Sequence, residues 1–372
     1  MVSRPTISAQ LYARPTAFVD APFGYDGQCE RLAGGLQFFA AWEVIAKEAG
    51  KRTGQWLIPV AQMADWCATL PVDQATRLLA MCTAATSPRP ALTLGDQKLS
   101  LETPQVMGIL NLTPDSFSGG NSNLGDAQSC ATQARHMAAQ GAALIDLGGE
   151  STRPGADIIW EGDELNRVLP VVEALRDSGL ILSLDTRKAA VMQAGLAAGV
   201  HIINDVSAML YDDRALDVVS ASTCPIVLMH FPGSPQDPHS HDHYLDPLTD
   251  VYDWLEARIA AVVAAGVDKS RIIADPGIGF GKRHVAHNLQ IMNGLALFHG
   301  LGVPLLLGAS RKRLIGALSN EAPADQRLGG SLALALKAAE QGAQIIRVHD
   351  VFETAQALKV WRGGRDTALT LI

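Results

Sequence analysis

Gly342-Ala-Gln-Ile-Ile-Arg-Val-His-Asp350 is the stretch on which the fold turns. Ile345, Ile346 and Val348 make it a short buried strand, and two-residue alternation puts Arg347 and His349 on one face of it. A cation and an imidazole leaving an apolar wall together are costly unless something anionic meets them. For this segment alone, a bound anion and a neighbouring carboxylate such as Asp350 explain the pair equally well. What moves the reading toward a site is that the same design recurs upstream.

Apolar runs at residues 106–110, 143–147, 180–184, 200–203, 225–229, 272–274 and 303–307 precede the run at 343–348, with amphipathic segments between them. Helices over 126–140, 188–198 and 326–341 stop at Gly141, Gly199 and Gly342, where a left-handed residue is needed. Eight βα units imply a closed α/β barrel, the (β/α)8 or TIM barrel. A doubly wound open sheet is the alternative, but it usually carries a glycine-rich fingerprint after its first strand, and Asn111-Leu-Thr-Pro is not one.

In such barrels the chemistry sits where strands end. Here Asn111 follows the first run, Asp146 and Gly148-Gly-Glu-Ser-Thr-Arg-Pro154 the second, Asp185 the third and Asn204-Asp205 the fourth. His230 follows the fifth, Asp275-Pro-Gly-Ile-Gly-Phe-Gly-Lys282 the sixth, Ser310-Arg-Lys312 the seventh, and Arg347 with His349 the eighth. A polar group at every strand end points to a substrate site. The glycines of 277–282 do not make a nucleotide phosphate loop, because Pro276 stands where its first glycine belongs and Arg283 follows the lysine. They suit close backbone approach to a flat ligand, with Phe280 covering a face. His239, His241 and His243 alternate in a Pro- and Asp-rich stretch that reads as a solvated loop rather than a metal centre.

The chain has 372 residues, enough for one large core and an appendage, and a formal net charge of −8. That balance gives no nucleic-acid surface, so any bound anion must be gripped locally. Five scattered cysteines without paired spacing indicate neither a disulfide framework nor a zinc ribbon and fit a reducing cytoplasm. No apolar run is long enough for a membrane span, and Pro5, Pro15 and Pro22 interrupt any secretory signal. Residues 1–88 form an N-terminal extension of unknown role, read as mainly helical from the spacing in 36–47 (LQFFAAWEVIAK) and 75–85. Residues 89–372 form the barrel, opening with a β-hairpin around Gly95-Asp96.

Asn111-Leu-Thr-Pro-Asp-Ser-Phe-Ser118, Gly148 to Pro154 (GGESTRP), Leu184-Asp-Thr186, Ile203-Asn-Asp-Val206, Leu228-Met-His230, the 275–282 motif, Ser310-Arg-Lys312 and Arg347-Val-His-Asp-Val351 stand in the order found in dihydropteroate synthases, which this sequence resembles from about Leu92 onward. The resemblance implies condensation of 6-hydroxymethyl-7,8-dihydropterin diphosphate with 4-aminobenzoate, giving 7,8-dihydropteroate and diphosphate. It implies that Asp275 meets the pterin's 2-amino-pyrimidinone edge, that Asp185 and Asn204 bind the rest of the ring, that Lys312 meets its carbonyl and ring nitrogen, and that Met229 and Phe280 cover its faces. Asn111, Arg347 and His349 are implied to hold the diphosphate, with Mg²⁺ bound through Asn111, and Ser151, Thr152, Arg153, Pro154 and Ser310 to build the aminobenzoate pocket. Diphosphate departure before amine capture, and a homodimer through late barrel helices, are implied as well.

The sequence departs from the family pattern at Ser118-Gly-Gly-Asn121, where a loop carboxylate is missing, and this implies a lowered turnover. Two other readings are a related pterin-binding methyltransferase barrel and a catalytically silent barrel acting through its N-terminal extension.

Overall fold

The computed structural model describes residues 4–113, 127–152, 156–233 and 243–370. Within these residues the eight parallel strands are β7 (Gln105–Asn111), β8 (Leu144–Gly148), β9 (Ile181–Asp185), β10 (Ile202–Asp205), β11 (Ile226–Met229), β12 (Ile272–Asp275), β13 (Leu306–Leu307) and β14 (Ile345–Val348). They pair in the order β12-β11-β10-β9-β8-β7-β14-β13. A parallel bridge from Ala274 to Leu305 and the Ala274 N–H donating to Pro304 O at 2.9 Å join the two ends, closing the sheet. The predicted barrel is therefore present. Its helices include α3 (Ala127–Gln140), α4 (Glu161–Leu175), α5 (Ala189–Ala198), α6 (Ala215–Ser220), α7 (Pro247–Ala264), α8 (Val285–Asn293), α9 (Arg313–Leu318), α10 (Leu328–Glu340) and α11 (Val351–Leu369).

The predicted glycine stops hold, with φ of 114° at Gly141, 110° at Gly199 and 83° at Gly342. Gly342 is needed for a second reason: a Cβ there would lie 2.7 Å from Leu32 Cδ2 and 2.8 Å from His299 Nε2.

One strand residue in two faces the barrel interior. Met107, Leu144, Ile181, Ile202, Val227, Ile273, Leu306 and Ile345, one from each strand, form an apolar layer. The hairpin β5 (Leu92–Leu94) and β6 (Gln97–Leu99) packs on that layer through Leu92, Leu94 and Leu99, plugging the N-terminal mouth. Counting on by twos from the layer reaches Asn111, Asp146, Asp185, Asn204, Met229, Asp275, Arg347 and His349 at the opposite mouth. Apolar closure below and polar groups above are thus one alternation pattern.

The N-terminal extension corrects the sequence reading. It is mainly strand: β1 (Gln10–Val19), β2 (Glu30–Arg31), β3 (Phe38–Glu48) and β4 (Lys51–Pro59), followed by helices α1 (Met63–Cys67) and α2 (Val72–Thr86). The segment read as a helix over 36–47 is the central strand, paired antiparallel with β1 and β4. It is buried along nearly its whole length, so the alternation that marks a half-exposed strand is absent and an apolar run with helix-compatible spacing remains.

The sheet docks on α7. Asp250, Asp253 and Glu256 fall on one face of that helix, with Asp246 at its N-cap, and they meet Lys47 at 2.7 and 2.8 Å, Arg77 at 3.0 Å and Arg52 at 2.5 Å. The edge-on contact of Tyr12 with Tyr252, centroids 5.7 Å apart, lies in an apolar cluster shared by sheet and barrel. Burial of that kind supplies more of the docking energy than half-exposed ion pairs do.

Candidate active site

Arg347 is the hub of the polar mouth. Its Nε donates to Asp146 Oδ2 at 2.6 Å and its Nη2 to Asp185 Oδ2 at 2.8 Å. Asp146 Oδ2 also accepts from Asn204 Nδ2 at 3.0 Å, and its Oδ1 accepts from Ser183 Oγ at 2.6 Å. The carboxylate alternative for Arg347 holds, but with different partners: Asp350, the neighbour suggested by sequence, pairs with Arg311 instead. Arg347 Nη1 makes no hydrogen bond among the described residues, which leaves one guanidinium nitrogen for a ligand.

Asp146 is the residue that sequence reasoning left without a role. Its signal was present, a lone acid inside the apolar run at 143–147, and it is fully buried. Burial pushes Asp185 up to about 7, against the downward pull of Arg347 and with the Asp146 charge adding to the rise. Burial pulls the Arg347 guanidinium down, but Asp146 and Asp185 outweigh it and the net shift is upward.

The second half of the mouth is built by β12 and the loop after it. Asp275 is buried, and its Oδ1 accepts the Gly277 N–H at 2.8 Å, so the carboxylate edge is fixed while Oδ2 stays open. Burial raises the Asp275 pKa, and Lys312 opposes the rise. Lys312 donates to Ile278 O, and its Nζ stands 4.7 Å from the centroid of the Phe280 ring. Burial brings this lysine down to about 8, with Asp275 partly countering the shift. Gly277, at φ 66°, lets the loop pass over β11, since a Cβ there would meet His230 O at 2.5 Å and Met229 Cγ at 3.2 Å. Met229 and Phe280 thus border the space beside Asp275.

Lys282 does not behave as a phosphate lysine. Its buried Nζ donates to Gly277 O at 2.8 Å and Phe280 O at 2.9 Å and meets His230 Nδ1 at 2.9 Å, pinning its own loop from behind. His230 and Asp205 have the opposite alternation from the site residues. Asp205 accordingly caps the turn after β10 by accepting from the Ser207 and Met209 amides, each at 2.7 Å.

His349 Nδ1 lies 3.1 Å from Ser310 Oγ, whose oxygen also accepts the His349 N–H at 3.2 Å. Asn111 ends β7, and a Cβ on Gly148 would sit 3.6 Å from Asn111 Oδ1 and 3.9 Å from Asp185 Oδ2, so the missing side chain leaves two hard oxygens beside one gap. Ser151 and Thr152 are half-buried after β8. Arg153, Pro154, the Ser118-Gly-Gly-Asn121 departure, His239 and His241 lie outside the described residues. Among the described residues no group of three or more His, Cys, Asp or Glu side chains is placed to hold a metal ion.

This closed barrel is the fold of a pterin-binding enzyme, and the family model described as "Pterin binding enzyme" matches residues 107–349. The chain is 44% identical over 272 residues to dihydropteroate synthase of Neisseria meningitidis, covering 72% of this chain and 95% of that one. The Escherichia coli enzyme is 45% identical over 265 residues, covering 70% and 92%. A Xanthomonas albilineans dihydropteroate synthase structure with 4-aminobenzoic acid superposes with a TM-score of 0.69 at 44% identity, covering 74% and 98% of the two chains. A Burkholderia cenocepacia dihydropteroate synthase complexed with 7,8-dihydropteroate gives 0.68 at 41% identity, covering 75% and 98%. The chain belongs to the dihydropteroate synthase family and is a transferase of folate biosynthesis.

Proposed function

We propose that the residues placed at the polar mouth carry out the family reaction here. The amine of 4-aminobenzoate forms a C–N bond to the methylene carbon of the dihydropterin diphosphate. The C–O bond breaks with its electron pair leaving on diphosphate, and the amine gives up one proton. The observation that carries the proposal is the shared inward alternation of Asp185, Asn204, Met229, Asp275 and Arg347, which gathers residues of five strands at one mouth of the barrel.

In this reading Asp275 Oδ2 accepts from the 2-amino-pyrimidinone edge while Gly277 holds Oδ1. Asp185 and Asn204 take the rest of the ring, Met229 and Phe280 flank its faces, and Lys312 donates to its carbonyl and ring nitrogen. Arg347 Nη1 and His349 face the diphosphate, where cations favour the charge that develops on departure. Ser151, Thr152, Arg153, Pro154 and Ser310 form the pocket for 4-aminobenzoate. Departure of diphosphate before amine capture is part of the proposal.

Arg347 is already paired with Asp146 and Asp185, so the mouth offers little unpaired positive charge for so anionic a leaving group. The Asn111 amide oxygen at the end of β7 suits a hard divalent cation. Mg²⁺ held there would neutralise diphosphate charge. We extend the proposal to a cytoplasmic enzyme, to residues 1–88 as a docked cover on the barrel at 89–372, and to a homodimer through late barrel helices. Exposed Leu318, Phe352 and Val360 on α9 and α11 support the homodimer. No described helix is long and apolar enough to cross a membrane.

The test is formation of 7,8-dihydropteroate by purified protein with both substrates and Mg²⁺, compared with omission of each. Absence of product with all three present overturns the proposal, and light scattering that returns a monomer mass removes the dimer.

A further inference from the structure

Behind the mouth lies a second charged group that the reaction does not use directly. Glu150, two residues beyond β8, is buried. Its Oε2 accepts from Arg187 Nε at 2.9 Å, and its Oε1 accepts from Lys188 Nζ at 2.9 Å. Lys188 Nζ also donates to Glu164 Oε2 of α4 at 2.6 Å, and the Arg187 guanidinium lies 4.2 Å from the centroid of the Tyr211 ring. The quartet has two charges of each sign. Such a buried set stabilises a fold little more than apolar packing would, so its value lies in where it fixes the chain.

One further contact shows what is fixed. Glu150 Oε1 also accepts the backbone N–H of Ile159 at 3.1 Å, nine residues along the chain. The carboxylate at the start of the segment therefore holds the amide at its end, and both are fastened to the turn that follows β9. Arg167 Nη1 adds a bond to Gly149 O at 2.8 Å on the near side. Ser151 and Thr152 follow Glu150 directly and so adjoin this clasp. Asp185 stands two residues before Arg187, which ties the clasp to the same frame as the pterin site.

We propose that Glu150 is a positioning residue for the amine substrate: by bonding Arg187, Lys188 and the Ile159 amide, it places the adjoining Ser151 and Thr152 for 4-aminobenzoate. This rests on the pocket assigned to those residues above. The larger effect falls on this substrate, because Glu150 adjoins Ser151 and Thr152, whereas Asp275 and Arg347 bond to Gly277, Asp146 and Asp185.

Steady-state kinetics of Glu150→Gln and Glu150→Ala, with hydrogen exchange at the Ile159 amide, tests it. Glu150→Ala raises KM for 4-aminobenzoate about tenfold or more, with KM for the pterin diphosphate changed by less than about threefold. Glu150→Gln, which keeps an acceptor for Ile159, falls between wild type and Glu150→Ala. The Ile159 amide exchanges slowly in wild type and fast in Glu150→Ala. Equal rises in both KM values together with a lowered Tm, or no rise in either, overturn the inference and leave Glu150 a structural residue. If Glu150→Ala does not fold, Glu150→Gln and wild-type exchange suffice: an unchanged KM in Glu150→Gln or an unprotected Ile159 amide in wild type overturns it. Absence of product from wild type removes the functional reading itself, a result separate from unchanged KM values in an active enzyme.

Discussion

Replacing Asp146 tests the frame on which Arg347 rests. Asp146 accepts from Arg347 and Asn204 on Oδ2 and from Ser183 on Oδ1, and it has no exposed surface. An asparagine with its carbonyl in the Oδ2 position keeps all three partners, since the Ser183 hydroxyl can accept where it had donated. Charge is what Asp146→Asn removes. A charge-assisted bond exceeds a neutral one by about 1 kcal/mol, and weakening a buried pair adds a similar amount while Asp185 still holds the guanidinium. The expected loss is ~2 kcal/mol. With an unfolding entropy of roughly 2.1 cal/mol/K per residue, a chain of this length has about 0.8 kcal/mol/K, so Tm falls by ~3 °C.

Asp146→Leu leaves the Arg347, Asn204 and Ser183 donors without that acceptor in a dry place and should lose ~4 kcal/mol, or roughly 5 °C. Asp185 gives a second readout. Its folded pKa of about 7 lies above the unfolded value of 3.8, so the stability that this group contributes is present at low pH and is lost as pH rises through about 7. Removing the Asp146 charge lowers the Asp185 pKa and reduces that loss. The Tm gap between wild type and Asp146→Asn therefore narrows from about pH 5 to about pH 8. Calorimetry across that range measures both effects. An Asp146→Leu protein as stable as wild type, or an Asp146→Asn protein as damaged as Asp146→Leu, would refute the account of Arg347.

Three further outcomes are expected. Asp275→Asn loses pterin affinity by ~2–4 kcal/mol, because the amide sets an N–H against ligand or loop donors; titration with a non-reactive pterin analogue measures it, and wild-type affinity sinks the assignment. Lys312, brought down to about 8, sheds its proton as pH rises through that value, so kcat/KM for the pterin diphosphate falls on the alkaline side; a flat profile up to about pH 10 shows that its charge is not used. Gly342→Ala forces a side chain onto φ 83° and against Leu32 and His299, costing about 2 kcal/mol or more in denaturant unfolding; a cost below about 0.5 kcal/mol means the neighbours yield freely.

The barrel was legible because its rules are local. A strand buried in a parallel sheet is a short apolar run, a helix needs a left-handed residue to stop it, and both leave their mark within a dozen residues. Alternation put Arg347 and His349 on one face, and the strand ends supplied Asn111, Asp185, Asn204 and Asp275, without knowledge of any contact. The family motifs named the chemistry at the same positions. In the extension the helix read over 75–85 is present as α2, while the one read over 36–47 was misread for the same local reason. Phe38–Glu48 is covered on both faces, so nothing in its own composition separates a central strand from a helix, and only its pairing with β1 and β4 settles the matter.

Partners, by contrast, belong to the tertiary structure. Alternation says that Arg347 points inward, but not that it will meet Asp146, 201 residues earlier, rather than the adjacent Asp350. Pro276 and Arg283 already rule out a phosphate loop around Lys282, but only the structure shows its Nζ on Gly277 O and Phe280 O. Glu150 reads as one letter of a motif until Ile159, Arg187 and Lys188 are found around it. Periodicity fixes the face on which a side chain emerges. Its neighbour across the barrel is set by the closure of eight strands, where packing and desolvation choose among all the charges that face the same way.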